Sequence, residues 1–115
     1  MYNAEFSMHG RPTILQIATT NYEPDREVVV TAMEEIQTLC GTTEGFIVQN
    51  EPMERMGWTF FKVLIKTELL AGMELKFGEQ IAKTKGKKIE EKFVTYMTKL
   101  FESKNAKVKI KLVDA

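Results

Sequence analysis

The sequence predicts a small α+β domain of element order β-α-β-β-α-β, on three observations. Residues 13–21, TILQIATTN, and 57–66, GWTFFKVLIK, are strand-like runs that are apolar on both parities. Residues 29–40 place apolar side chains at helical spacing, and a second helical pattern runs from Leu69 to Leu100. Residues 106–115, AKVKIKLVDA, alternate between apolar side chains and lysine.

The first strand is bounded by Pro12 and by the Asn21-Tyr22-Glu23-Pro24 turn, and its β-branched content suits a central position. A helix follows. Pro24 fits its first turn, Asp25 and Glu27 complement its N-terminal dipole, and Val29, Ala32, Met33, Ile36, Leu39 and Cys40 form one apolar stripe. Gly41 stands where a left-handed C-terminal cap belongs. Residues 45–50, GFIVQN, read as a second strand, 51–56 as a turn carrying Pro52, and the central strand 58–66 comes next. Leu70, Met73, Phe77 and Ile81, then Ile89, Phe93, Tyr96, Met97 and Leu100, describe two helices separated near Gly86. In the last strand Val108, Ile110 and Leu112 point inward and Lys107, Lys109 and Lys111 outward.

Right-handed crossovers then place the strands at 13–19 and 58–66 side by side in the middle of a four-stranded antiparallel sheet. This is the ferredoxin-like βαββαβ plan, with the helices on one face and an extra helix before the last long helix. Residues 1–12 read as an N-terminal arm and 13–115 as a single domain.

A chain of 115 residues holds one core. Its 43% hydrophobic and 28% charged residues are those of a folding sequence. Sixteen basic and sixteen acidic side chains cancel, so electrostatic binding must come from a local patch. The opening residues lack a basic and apolar leader, and no later run approaches the ~18 apolar residues of a membrane span. The expected location is the cytoplasm, or the host cytosol for a viral chain, with no membrane partner. The single cysteine, Cys40, also suits a reducing compartment.

Strand alternation sorts the rings of GWTFFKVLIK. With Phe61, Val63 and Ile65 toward the helices, Trp58, Phe60, Lys62 and Leu64 line the opposite, helix-free face. Two large aromatics there call for a cover: a second copy of the chain, the extra helix 69–84 folded back over the sheet, or another protein. The run Gly57-Trp58-Thr59-Phe60-Phe61-Lys62-Val63 also resembles the third-strand signature of RNA-recognition motifs, a glycine followed by aromatics at alternating positions. That resemblance implies single-stranded RNA stacked on Trp58 and Phe60. It departs from the family at Thr59, at Val63 and in a first strand without aromatics.

The one basic cluster, Lys83, Lys85, Lys87 and Lys88 around Gly86, precedes a helix and is a candidate anion site, though without phosphate-loop spacing. Catalysis finds little support. Cys40 sits at a helix C-terminus, where the dipole disfavours a thiolate, and His9 lies in the arm without a partner to orient it. No metal spacing occurs, and no cofactor is expected. In size and type the chain resembles small regulatory or inhibitory proteins such as those encoded by bacterial viruses. The expected function is a non-enzymatic protein-interaction module acting through the apolar sheet face, with a protein partner or a homodimer; RNA binding through the same face is the alternative.

Overall fold

The computed structural model describes residues 11–113. Residues 1–10 of the expected arm, His9 among them, lie outside the described residues, as do the last two residues.

The described residues form an α+β structure with a five-stranded antiparallel sheet and three helices. Strand β1 (Thr13–Thr19) leads into helix α1 (Tyr22–Leu39). Strands β2 (Phe46–Val48), β3 (Met53–Arg55) and β4 (Trp58–Ile65) follow, then helices α2 (Thr67–Ala82) and α3 (Ile89–Ser103) and strand β5 (Lys109–Val113). The strand order is β2-β4-β1-β5, and β3 also pairs with β4. β1 and β4 therefore occupy the centre, as their apolar content on both parities predicts.

The four expected strands are five, because the segment 51–56 is not all turn. Met53–Arg55 pairs with β4 in the register Met53↔Phe60 and Arg55↔Trp58. Met56 and Gly57 close this hairpin with φ of 53° and 84°, the paired left-handed conformation of a two-residue turn that matches strand twist. A methionine in that place carries none of the usual turn chemistry, so the sequence masked the hairpin.

One parity of the sheet is buried. Leu15 and Ile17 of β1 and Phe61, Val63 and Ile65 of β4 have no exposure and share a single core with the helices. From α1 the stripe Val29, Ala32, Met33 and Ile36 enters that core, but Leu39, the last residue of the helix, is 56% exposed. Gly41, at φ 71°, closes α1 as expected. The Gly41 and Thr42 N–H groups donate to the carbonyls of Thr38 and Gln37, at 3.2 and 3.0 Å, satisfying acceptors that the helix end would leave orphaned.

The second helical pattern is two helices. Leu69, Leu70, Met73 and Ile81 of α2 meet Phe93, Met97 and Phe101 of α3 in the same core. The extra helix thus belongs to the helical layer and does not fold back over the other face. Where α2 passes the end of α1, a Cβ on Gly72 would come within 2.8 Å of the Cys40 Cβ, so this glycine permits the close approach.

The β1–α1 corner is fixed by a buried polar pair. The Thr19 hydroxyl donates to the Asp25 carboxylate and accepts the Asn21 N–H at 2.9 Å. Tyr22 packs edge-on against Phe61, with ring centroids 5.5 Å apart.

Candidate functional site

Strand pairing builds the helix-free face in cross-strand rows. Residues opposite each other in a register share a face, so the partners of Ile14, Gln16 and Ala18 lie beside them on the side away from the core. One row runs Val113, Ile14, Leu64, Ile47 and is aliphatic throughout. The next runs Lys111, Gln16, Lys62. The third runs Lys109, Ala18, Phe60, Met53, and Trp58 with Arg55 closes the far end.

Trp58, Phe60, Lys62 and Leu64 thus share one face, as alternation predicts. Lys62 is exposed and the other three are half-buried. No strand side chain of this face is buried to the degree of Leu15 or Phe61. Two neighbours stand out further: Ile47 is 55% and Met53 61% exposed. Sequence reasoning left out Lys109, Lys111, Arg55 and Met53. The outward lysines of the last strand were the available signal, and the β1–β5 pairing turns that outward side into the aromatic face.

Among the described residues four cations, Arg55, Lys62, Lys109 and Lys111, project from strand positions of this face, and no carboxylate does; Glu54, opposite Thr59, lies on the other parity. The neutral total conceals a basic sheet face. The Lys109 ammonium lies 4.9 Å from the Trp58 ring centroid, a cation–π contact reaching across β1.

A break in the edge strand adds relief. Val48 pairs with Val63 and Met53 with Phe60, so residues 49–52 span the space opposite only two residues of β4. Pro52, which has no N–H to give, sits in this excursion. Gln49 holds it in place. Its N–H donates to the Lys62 carbonyl at 2.8 Å, and its side-chain Oε1 accepts the Lys62 N–H at 3.0 Å. Arg26 of α1 donates to the Asn50 Oδ1 at 3.1 Å. The resulting cleft, about 390 Å³, has Met53, Arg55, Phe60 and Lys62 along its walls and Gln16 and Glu51 among its polar lining.

Lys83, Lys85, Lys87 and Lys88 are exposed on the α2–α3 connection. Lys83 and Lys88 are the residues flanking the two helices, and the Lys87 N–H donates to the Glu91 carboxylate at 2.9 Å. That carboxylate therefore lies beside the lysine cluster.

Part burial raises the Cys40 thiol above its ordinary value, against a smaller opposing effect of the Lys76 charge. Burial also raises the Tyr96 phenol, with Cys40 nearby adding to the shift. Glu68 is lowered, chiefly by the hydroxyl of Thr67, which donates to it at 2.8 Å. Among the described residues no group of three or more His, Cys, Asp or Glu side chains could hold a metal ion, and no helix is long and apolar enough to cross a membrane.

Comparison with known proteins finds no matching family model, no similar curated protein and no similar solved structure.

Proposed function

We propose that this protein is a non-enzymatic interaction module, regulatory or inhibitory in a reducing cytoplasm, which binds a protein partner through the helix-free face of its sheet. We further propose that the sheet is a ferredoxin-like plan whose second strand is split into β2 and β3. Support for the plan comes from β1 and β4 at the centre and from the pairing of both short strands with β4.

The observation that carries the function is the open apolar surface. Ile47 is more than half exposed beside Leu64 and Ile14, and Met53 beside Phe60, on a face that receives none of the helices of the described residues. Exposed apolar rows of this kind mark interaction sites, and aromatic side chains carry a disproportionate share of binding energy.

The test is capture from an extract of the native cell on immobilised protein. Wild type should retain a specific partner, and Trp58→Ala with Phe60→Ala should lose it while the far-UV circular dichroism stays unchanged. Equal retention by the folded double variant would overturn the proposal.

A second function is favoured by one observation: the four cations share the face with Trp58 and Phe60, as single-stranded RNA would require. Against it, the Lys109 ammonium already stands over the Trp58 ring. Titration with mixed-sequence single strands at low and moderate salt separates the two functions, because phosphate binding weakens steeply as salt rises.

A further inference from the structure

The occupant of the helix-free face can be identified by its chemistry. Three features bear on it: the charge of the face, the order of its rows and the volume and lining of its cleft.

Charge comes first. The strand positions of the face present Arg55, Lys62, Lys109 and Lys111 and no carboxylate, and Glu51 is the one acidic residue in the lining of the cleft. A two-fold dimer through this face would gather the four cations of each copy into one interface, with no carboxylate on the described strand positions of either copy to pair them. Like charges directly opposed are unfavourable, whereas an acidic partner gains steering and register from the same groups.

The rows come second. Along the strands an aliphatic row, Val113, Ile14, Leu64 and Ile47, is followed by the row holding Lys111 and Lys62, and then by Phe60 and Met53. Rows two residues apart on a strand are separated by about 6.6 Å. Helical residues four apart rise about 6 Å. A helix lying along the strands therefore meets the three rows with an apolar, an acidic and an apolar side chain in turn. The nucleic acid alternative uses this pattern poorly: bases stack on rings, and an aliphatic row as long as the sheet is wide offers none.

The cleft comes third. Its volume of about 390 Å³ lies within the range of ligand pockets, and its walls combine Met53 and Phe60 with Arg55 and Lys62. Such a pocket takes one large apolar side chain and leaves cations at its rim for neighbouring carboxylates.

We propose that the partner of this face is an acidic amphipathic polypeptide helix, whose carboxylates meet Lys62 and Lys111 and whose apolar side chains cover Ile14, Leu64 and Phe60. This rests on the protein-binding function proposed above and specifies its ligand.

Trp58, the single tryptophan, reports binding by its fluorescence. The probes are an alanine-rich helical peptide of about 20 residues, long enough to be helical alone, with Leu and Glu alternating along one stripe; the same peptide with Glu→Lys; the same with Leu→Ala; and a mixed-sequence single-stranded oligonucleotide. The Leu/Glu peptide should bind at least tenfold tighter than either relative, and more weakly as salt rises. The protein variant Lys62→Glu with Lys111→Glu, checked for folding by thermal melting, should reverse the preference toward the Leu/Lys peptide. No binding of the Leu/Glu peptide, an equal or stronger response to the Leu/Lys peptide, or tighter binding of the oligonucleotide would each overturn the assignment. So would a wild-type dimer by light scattering with Trp58 shielded from quencher. The general protein-binding function fails separately, when Trp58→Ala with Phe60→Ala leaves a captured partner in place.

Discussion

The Lys109 ammonium stands 4.9 Å from the centre of the Trp58 ring, joining β5 to β4 over the intervening strand β1. Ala18 makes this reach feasible: it lies between Lys109 and Phe60 in the same row, and its methyl group leaves the surface low. The contact links the last strand to the aromatic face and keeps the only tryptophan half-buried without a helix above it.

Lys109→Ala should therefore uncover the indole. Its emission should shift to the red and its quenching by acrylamide rise, with a stability loss of about 0.5–1 kcal/mol, the size of an exposed cation–π contact. Unchanged quenching would mean that the lysine does not cover the ring.

The hairpin between β3 and β4 predicts a gain. Met56 is 93% exposed and holds φ at 53°, a left-handed conformation that strains most side chains but that Gly adopts freely and Asn tolerates through local hydrogen bonding. Met56→Asn should raise stability by about 0.5–1 kcal/mol in denaturant unfolding, since no packing is lost. A loss would show that the methionine makes a stabilising contact.

Much of the fold was legible because its signals are periodic. The two central strands, the Val29-to-Ile36 stripe, the Gly41 cap and the inward Val108 all follow from spacing alone. Strand β3 was not legible: Met53-Glu54-Arg55 is short, follows Pro52, and draws its order from pairing with β4 rather than from local preference. Leu39 fits the helical period yet is exposed, and Phe101 is fully buried though the sequence reading stopped at Leu100, because period identifies a face and not where the core ends. Of the candidate site, alternation located Trp58, Phe60, Lys62 and Leu64. Its basic character was legible in part: the outward lysines of the last strand signalled Lys109 and Lys111, whereas Arg55 joins the face through the β3–β4 pairing, which no local pattern announces.

Gly72 offers a test in which the sign decides. Replacing a helical glycine by alanine ordinarily stabilises by about 1 kcal/mol. Here the new Cβ would meet the Cys40 Cβ at 2.8 Å, and overpacking at a close crossing costs about 1–3 kcal/mol. Gly72→Ala should thus lower the unfolding midpoint. A raised midpoint would show that α1 and α2 separate easily at this point.

Alkaline stability follows from Cys40 and Tyr96. Both groups are raised in the folded chain, from ordinary values of 9.0 and 10.0, chiefly because burial penalises the thiolate and the phenolate. Raised acids hold their protons longer when folded than when unfolded. Over that interval the folded state binds more protons, and stability falls as pH rises. The contribution is complete below about pH 8, is lost from about pH 9 upward through the folded values, and acts first through Cys40 and then through Tyr96. The comparison is made between variants, so that contributions common to all of them cancel. Denaturant unfolding from pH 7 to 11 should show wild type losing stability more steeply than Cys40→Ala above pH 9 and more steeply than Tyr96→Phe above pH 10. The Cys40 thiol should accordingly react with iodoacetamide more slowly at pH 8 in the folded protein than after unfolding, because less of it is thiolate. Parallel pH profiles for wild type and both variants would exclude burial as the source of the shifts.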